Sequence, residues 1–228
     1  MTDASKLKSI TDHQRSLIKP MTIGFVAAVL ALTFAYIGNE AVEGETRRFD
    51  LYLVYSAQAL RLAHPWLAEV MRDFSGLGST AILTLFTVMT VCYLALFRRR
   101  VTALLVTVSI VSGSLLVGIF KASFSRLRPD VSLAEISVTG LSFPSGHASM
   151  STIVFLTVGA LIASTRSQAT ERLFILTSAA LMAILVGLSR VGLGVHWATD
   201  VLGGWAFGTA WAIAWLLIER LIVIGRKI

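Results

Sequence analysis

Residues 144–164 have the sequence PSGHASMSTIVFLTVGALIAS, in which a short polar turn leads directly into an apolar run. The run at 147–164 is close to the ~20 residues that an α-helix needs to cross the hydrocarbon core of a bilayer. Five more runs of this kind occur, with approximate limits 21–38, 79–97, 101–120, 173–190 and 198–218. The chain is therefore predicted to be an all-α polytopic membrane protein with six transmembrane helices.

The composition of the whole chain supports this fold class. Of the 228 residues, 55% are hydrophobic and 14% are charged, and the mean hydropathy is +0.76. A soluble domain is usually about 45–50% apolar, even when glycine is counted. Short apolar runs can also be core helices of a soluble protein, but several runs here reach spanning length. We expect a single integral-membrane domain over residues 1–228.

The formal charge of +7 raises the question of a nucleic-acid partner. The basic residues, however, lie in short loops beside the apolar runs, a distribution that orients membrane proteins. We therefore expect the bilayer as a partner and no nucleic acid; the sequence does not predict an oligomeric state. Cys92 is the only cysteine, so no intramolecular disulfide can form.

The distribution of charge predicts the orientation. With the N-terminus inside the cell, the inner segments hold more than half of the 20 basic residues: Lys6, Lys8, Arg15, Lys19, Arg98, Arg99, Arg100, Arg166, Arg172, Arg220, Arg226 and Lys227. Inner loops are enriched in such residues. Residues 1–20 and both termini are thus expected in the cytoplasm. The first run is interpreted as an uncleaved anchor, and a bacterial inner membrane is expected.

The longest stretch outside the runs is 40–78. Apolar residues repeat there at helical spacing from Trp66 to Phe74, among charged residues such as Glu69 and Asp73. This pattern is typical of an amphipathic helix, which could lie in the outer membrane–water interface or pack on the bundle. His64-Pro65 predicts a helix break. Gly204 and Gly208, four residues apart, predict close helix packing in the last run.

Three polar clusters lie at the edges of the runs: Lys121 with Arg128-Pro129, Pro144-Ser145-Gly146-His147, and Ser189-Arg190 with His196 and Asp200. The fourth and fifth spans make a round trip through the membrane, which returns the third cluster to the outer side that holds the first two. Ionisable residues at membrane depth usually mark function. Lys121 or Arg190 alone could instead be an anchor that extends to the headgroups.

The second cluster has the features of an anion site. Pro144 interrupts the preceding structure, Gly146 allows a ligand close to the backbone, and the helix that follows presents free N–H groups. Ser145 could equally be an ordinary helix N-cap. His147, at the start of this helix, could protonate a leaving oxygen.

The other two clusters supply cations and a second histidine. Arg128 offers a planar fork and Lys121 a point charge for phosphate oxygens, while Arg126 nearby could simply be solvated. His196 and Asp200 are four residues apart, hence on one helix face, so the carboxylate could fix the imidazole tautomer and leave the other nitrogen free to attack. Such pairs are often structural. Metal binding is disfavoured because the surrounding side chains are basic.

These residues resemble the three signature motifs of the type 2 phosphatidic acid phosphatases. The resemblance spans Lys121 to Asp200, fills every signature position and implies metal-independent hydrolysis of a lipid phosphate or diphosphate, with no cofactor. It implies that His196 is a nucleophile that forms phosphohistidine, that Asp200 orients it and that His147 is the general acid. It further implies a phosphate-binding set, formed by Lys121, Arg128, Ser145, Gly146 and Arg190.

The motifs are specific for phosphate and do not select the lipid. Candidate substrates are phosphatidylglycerophosphate, phosphatidic acid, an undecaprenyl-type diphosphate and a lipid A phosphate. Soluble vanadium haloperoxidases share these motifs, but such an enzyme needs no six-span anchor. Two other classes remain open: a transporter with interfacial charges, and a relative that binds lipid phosphate without turnover.

Overall fold

The computed structural model describes the backbone of residues 3–225 and the side chains of residues 21–223. Eight α-helices and one short 3-10 turn, Val131–Leu133, make up the regular structure of this part of the chain. The helices are α1 Asp3–Glu43, α2 Arg47–Ala63, α3 Trp66–Leu77, α4 Thr80–Leu96, α5 Arg100–Phe124, α6 Gly146–Ala163, α7 Ala169–Gly192 and α8 Ala198–Gly225. The predicted all-α class is confirmed.

Six helical stretches are long and apolar enough to cross a membrane: Met21–Glu43, Trp66–Leu96, Arg100–Phe124, Gly146–Ala163, Ala169–Gly192 and Ala198–Val223. Each overlaps one of the six predicted runs. Large apolar side chains such as Phe25, Leu104 and Leu181 are exposed on their outer surfaces. An exposed apolar surface of this extent marks contact with a membrane or with another protein, and the six long apolar helices favour the membrane. The basic residues predicted to be cytoplasmic within 1–20 and at 226–227 lie outside the described side chains.

The predicted 40–78 segment forms two helices, and the break at His64-Pro65 is confirmed because α2 ends at Ala63 and α3 begins at Trp66. Helix α3 packs against α7: a Cβ placed on Gly192 would lie 2.8 Å from Sδ of Met71. Helix α3 therefore packs on the bundle, and the position of the segment at the outer membrane–water interface stays a prediction. Only Gly78 and Ser79 separate α3 from α4, so the two helices together form the stretch Trp66–Leu96, in which α4 corresponds to the predicted run 79–97.

Helix α6 lies at the centre of the bundle and packs against α4, α5, α7 and α8. Its side chains are largely buried, with Ile153 and Val154 fully so. The predicted close packing at Gly204 and Gly208 is confirmed, because both glycines face α6. A Cβ on Gly208 would lie 2.7 Å from both the Ser149 carbonyl oxygen and Cβ of Thr152. This contact holds the start of α8 against the start of α6.

Replacing Gly208 with leucine should therefore destabilise the protein by at least about 1–3 kcal/mol, the usual cost of overpacking a tight interface. Gly118→Leu is the matched control, because a Cβ on Gly118 meets nothing within 4 Å. The midpoint of thermal unfolding in detergent should fall for the first variant and stay near the wild-type value for the second. Equal midpoints would contradict the packing described here.

Candidate active site

The structure brings the three polar clusters together at one end of the bundle. Nη1 of Arg128, in the loop after α5, lies 3.0 Å from Nε2 of His196, which joins the first cluster to the third. The backbone N–H of Ser145 donates to the carbonyl oxygen of Asp200 at 3.0 Å, which joins the second cluster to the third. Lys121 at the end of α5 and Arg190 at the end of α7 lie at the same end.

His196 and Asp200 form a buried pair with almost no exposed surface. Nδ1 of His196 lies 3.1 Å from Oδ2 of Asp200. The same carboxylate oxygen accepts from the backbone N–H of Trp197 at 2.9 Å and from the hydroxyl of Ser142. These bonds fix the carboxylate, and the carboxylate in turn fixes the plane of the imidazole ring.

The partners of His196 assign its proton. Arginine can only donate hydrogen bonds, so Nε2 accepts from Arg128 and Nδ1 carries the proton donated to Asp200. Burial lowers the pKa of His196 to about 4, and the charge of Asp200 opposes that shift. The ring is therefore neutral at physiological pH. Nε2 bears a lone pair that faces the cations, as a nucleophile toward phosphorus requires.

Backbone carbonyls position two of the cations. Arg128 donates through Nε to the Gly140 oxygen at 3.0 Å and through Nη1 to the Val195 oxygen at 2.7 Å. Burial lowers the pKa of the Arg128 guanidinium, and Asp200 again opposes the shift. Lys121 donates through Nζ to the oxygens of Leu141 and Ser142 at 2.7 and 3.1 Å.

The segment that supplies these carbonyls is held by aromatic packing. Phe143 is fully buried, and its ring stacks on Phe34 of α1 with 5.5 Å between centroids. The ring of Phe124, at the end of α5, lies 4.9 Å from it in a T-shaped arrangement. The loop before α6 is thereby anchored to two transmembrane helices, and the polar residues on either side of Phe143 keep fixed positions.

The N-terminus of α6 presents backbone donors to the same region. Ser145 is the N-cap, and its hydroxyl accepts from the Ala148 N–H at 3.5 Å. The first N–H groups of a helix have no partner within the helix. A Cβ on Gly146 would meet only Cγ1 of Val117, at 3.9 Å, so internal packing does not demand a glycine here. The open space beside Gly146 is suited to an anion close to the backbone.

Arg190 is buried with an incomplete set of partners. Nη1 donates to the hydroxyl of Ser75 on α3, while Nε has no hydrogen-bond acceptor. Within the described side chains, none of Lys121, Arg128 and Arg190 forms an ion pair with a carboxylate. A cluster of such cations with spare donors favours an anionic ligand.

His147 lies on the first turn of α6, at one end of a cavity of about 410 Å³. The walls are side chains of α4, α5 and α6, among them Leu83, Val117 and Val154. The imidazole of His147 forms no hydrogen bond with any side chain or backbone group that the structure describes. It is therefore free to exchange a proton with a ligand. Among the described residues, no group of three His, Cys, Asp or Glu side chains is arranged to hold a metal ion.

Arg126 is where the sequence interpretation is wrong. Its side chain is only 10% exposed, so it is not a solvated charge. Nη1 lies 2.7 Å from Oδ1 of Asp200, and Nη2 lies 2.6 Å from Oδ2 of Asp50. The guanidinium also lies over the ring of Trp197, 5.6 Å from its centroid. Arg126 thus links the predicted orienting carboxylate to a second buried carboxylate on α2.

Asp50, Ser142, Thr199 and Ser75 are further residues that contact the site and that the sequence did not single out. Asp50 lies in the 40–78 segment, where other acidic residues such as Glu69 and Asp73 are exposed. Ser142 precedes the second cluster closely enough that its polarity was a usable signal. Ser75 of α3 is 115 residues away from Arg190 of α7 in the sequence, and no spacing rule connects them.

A family model described as the PAP2 superfamily matches residues 102–222, which hold all three clusters. The chain belongs to the PAP2 superfamily. Phosphatidylglycerophosphatase B of Bacillus subtilis (strain 168) is 30% identical over 193 residues, which are 84% of this chain and 90% of that protein. The undecaprenyl-diphosphatase of Sulfolobus acidocaldarius is 28% identical over 79% of this chain and 82% of its own length.

The fold agrees with a solved PAP2 structure. The crystal structure described as the first transmembrane PAP2 type phosphatidylglycerolphosphate phosphatase from Bacillus subtilis superposes with a TM-score of 0.80. Sequence identity is 27%, and the match covers 87% of this chain and 98% of the other. With six apolar helices and a transmembrane PAP2 relative, the chain is an integral membrane protein.

Proposed function

We propose that this chain hydrolyses a lipid phosphate or diphosphate through a phosphohistidine at His196. The observation that carries the proposal is the neutral His196 ring, with Nδ1 held by Asp200 and Nε2 facing Arg128 at 3.0 Å. A phosphate group that took over the Arg128 donors would lie beside the free lone pair of Nε2. PAP2 relatives with phosphatase names support the same class of enzyme.

In the first step, Nε2 of His196 attacks phosphorus and forms an N–P bond. The bond between phosphorus and the lipid-side oxygen breaks, and that oxygen takes a proton from His147. The incoming phosphate brings negative charge beside His147, which favours the protonated imidazole needed for this role. Asp200 stabilises the positive charge that develops on the phosphorylated ring.

In the second step, water attacks phosphorus and the N–P bond breaks. His147, neutral after the first step, accepts a proton from that water, so general acid and general base are the same residue. Inorganic phosphate leaves, and Nε2 recovers its lone pair. A monoester leaves a lipid alcohol, and a diphosphate leaves a lipid monophosphate.

The remaining residues of the site stabilise charge on the transferring group. Lys121, Arg128 and Arg190 would bind its equatorial oxygens, with the backbone at Ser145 and Gly146 supplying neutral donors. Preplaced donors of this kind act where charge develops in phosphoryl transfer. Because carbonyl oxygens and Ser75 already hold the cations in place, little reorganisation is needed when substrate binds.

The lipid would keep its chains in the bilayer while its phosphate enters the site. The cavity at His147 supports this, since it has largely apolar walls between α4, α5 and α6 and is also lined by Gly146 and His147. We further propose that residues 1–228 act as one domain, that both termini are cytoplasmic and that the site faces the outer side of a bacterial inner membrane. The three consecutive arginines at 98–100, together with Arg166, support this orientation.

A topology reporter tests the orientation. A reporter inserted after Arg166, in the loop between α6 and α7, should read cytoplasmic. The reason is that the arginines of the α4–α5 and α6–α7 loops favour a cytoplasmic position for these loops. A reporter inserted after Gly140, in the loop that carries the site, is the paired control and should read exterior. The reversed pattern would place the site inside the cell.

A phosphate-release assay on purified protein tests the function itself. Phosphatidylglycerophosphate, phosphatidic acid and an undecaprenyl-type diphosphate are offered in mixed micelles, with and without a chelator. We expect phosphate release from at least one substrate, unchanged by the chelator. A protein that binds these lipids without releasing phosphate would be a non-catalytic member of the family, and strict dependence on a divalent cation would overturn the metal-independent mechanism.

A further inference from the structure

Asp50 of α2 is a buried carboxylate that the proposed reaction does not use. Its side chain is 1% exposed, and four groups contact it. Oδ1 accepts from the Thr199 N–H at 3.0 Å. Oδ2 accepts from the hydroxyls of Thr199 and Thr46 at 2.7 and 2.9 Å and pairs with Arg126 at 2.6 Å. A carboxylate is tolerated in a buried position only when hydrogen bonds and an opposite charge offset its loss of hydration. The Asp50 carboxylate has both.

The partners of Asp50 lead directly to the proposed nucleophile. Arg126 bridges Asp50 and Asp200, and Asp200 holds Nδ1 of His196. The backbone N–H of Thr199, which donates to Asp50, lies in the first turn of α8, next to Asp200 in sequence. Asp50 therefore reaches Asp200 both through a guanidinium and through the end of the helix that carries it.

The net charge of the Asp50, Arg126 and Asp200 side chains affects how well positive charge on the His196 ring is stabilised. Lys121 and Arg128 face His196 and disfavour positive charge on its ring, so stabilisation of the phosphorylated imidazole depends on a negative Asp200. Arg126 alone would neutralise Asp200. With Asp50 also bound to Arg126, one guanidinium is shared between two carboxylates, and the set keeps a net charge of −1.

We propose that Asp50, acting through Arg126, is a positioning residue that preserves the hydrogen bond and the negative charge that Asp200 offers to His196. Asp50 touches neither substrate nor the reacting atoms. The inference rests on the proposed function, since the charge matters only if His196 becomes phosphorylated. It also gives α2 a role: this helix contributes a residue to the network behind the nucleophile.

The test is the near-isosteric variant Asp50→Asn, followed by two measurements on the full chain in detergent micelles. With one carboxylate removed, Arg126 pairs fully with Asp200 and weakens the bond to His196. The Nδ1–H proton resonance of His196, observed with ¹⁵N-labelled histidine and assigned by its loss in His196→Asn, should move upfield. Phosphoenzyme formation should slow by roughly 10-fold, the effect of losing one nearby charge.

Two further variants separate positioning from plain structural support. Arg126→Lys keeps the charge without the fork and should lie between wild type and Asp50→Asn in both measurements. Glu135→Gln is the control, because it removes a carboxylate of another ion-pair group, with Arg61 and Arg72. It should leave the resonance and the phosphorylation rate unchanged.

The outcomes distinguish this inference from the proposed function. An active wild type, together with an Asp50→Asn variant whose resonance and phosphorylation rate match the wild type, overturns the positioning role alone. A wild type that releases no phosphate overturns the proposed function. In that case the same upfield shift would still support the coupling of Asp50 to His196.

Discussion

Replacing His196 with alanine should lower the rate of lipid phosphate hydrolysis by roughly 10⁴-fold or more, because removal of a nucleophile has effects of that order or larger in other enzymes. No other side chain at the site offers an unprotonated nitrogen to phosphorus in the same position. His147 lies on α6 and does not share the Asp200 contact that fixes the ring of His196. The measurement is phosphate release by purified protein at saturating substrate.

A second variant separates chemistry from folding. His196→Asn keeps an amide donor for Asp200 but has no nucleophilic nitrogen, so its activity should be as low as that of the alanine variant. His64→Ala is the matched control, because His64 is exposed at the end of α2; its rate should stay within about twofold of wild type. Activity near the wild-type level in His196→Asn would remove His196 from the mechanism.

Replacing Arg128 with glutamine should cost on the order of 10²–10³ in kcat, the usual effect of removing one strong donor from a site that stabilises transition-state charge. Arg128 is the cation closest to Nε2 of His196, at 3.0 Å. Its guanidinium is held by two backbone carbonyls, so it is aimed before the substrate arrives. Loss of charge should therefore affect the chemical step more than the binding of the lipid.

The comparison with other arginines tests that reasoning. Arg128→Lys retains the charge but not the fork, and it should recover only part of the lost rate. Arg72→Gln is the control, because Arg72 is 46% exposed and pairs with Glu135 at 3.1 Å; its kcat should be close to wild type. An Arg128→Gln variant with normal kcat and a raised KM would instead indicate a role in ground-state binding.

The six spans could be predicted from sequence because a helix that crosses the hydrocarbon core must have a nearly fixed length and few charged residues. The break at His64-Pro65 followed from the conformational restriction that proline imposes on its neighbour. Gly204 and Gly208 predicted a tight helix contact because only small residues permit it. The meeting of the three clusters followed from topology, since two membrane crossings return the chain to the same side.

The network behind His196 could not be predicted in the same way. Asp50 lies in an amphipathic segment with Glu69 and Asp73, and nothing in the sequence distinguishes the buried carboxylate from the two exposed ones. Its partners, Arg126 and Thr199, are far away in sequence, so no periodicity relates them. Tertiary contact alone decides which carboxylate is buried.

Arg126 shows the same limit. The motif spacing selects Arg128 as the predicted phosphate ligand, but nothing in the sequence indicates that Arg126 is buried against carboxylates. In the structure, Arg128 points to His196 while Arg126 points to the carboxylates of Asp50 and Asp200.

Trapping of the phosphoenzyme tests the central claim most directly. Purified protein is mixed with a ³²P-labelled lipid phosphate that it hydrolyses, quenched within milliseconds and digested under alkaline conditions, in which phosphohistidine survives. We expect acid-labile label on the peptide that contains His196, absent in His196→Asn and formed more slowly in His147→Ala, which lacks the proton donor of the first step. Rapid turnover with label on another residue, or with no covalent label at any time, would contradict the account.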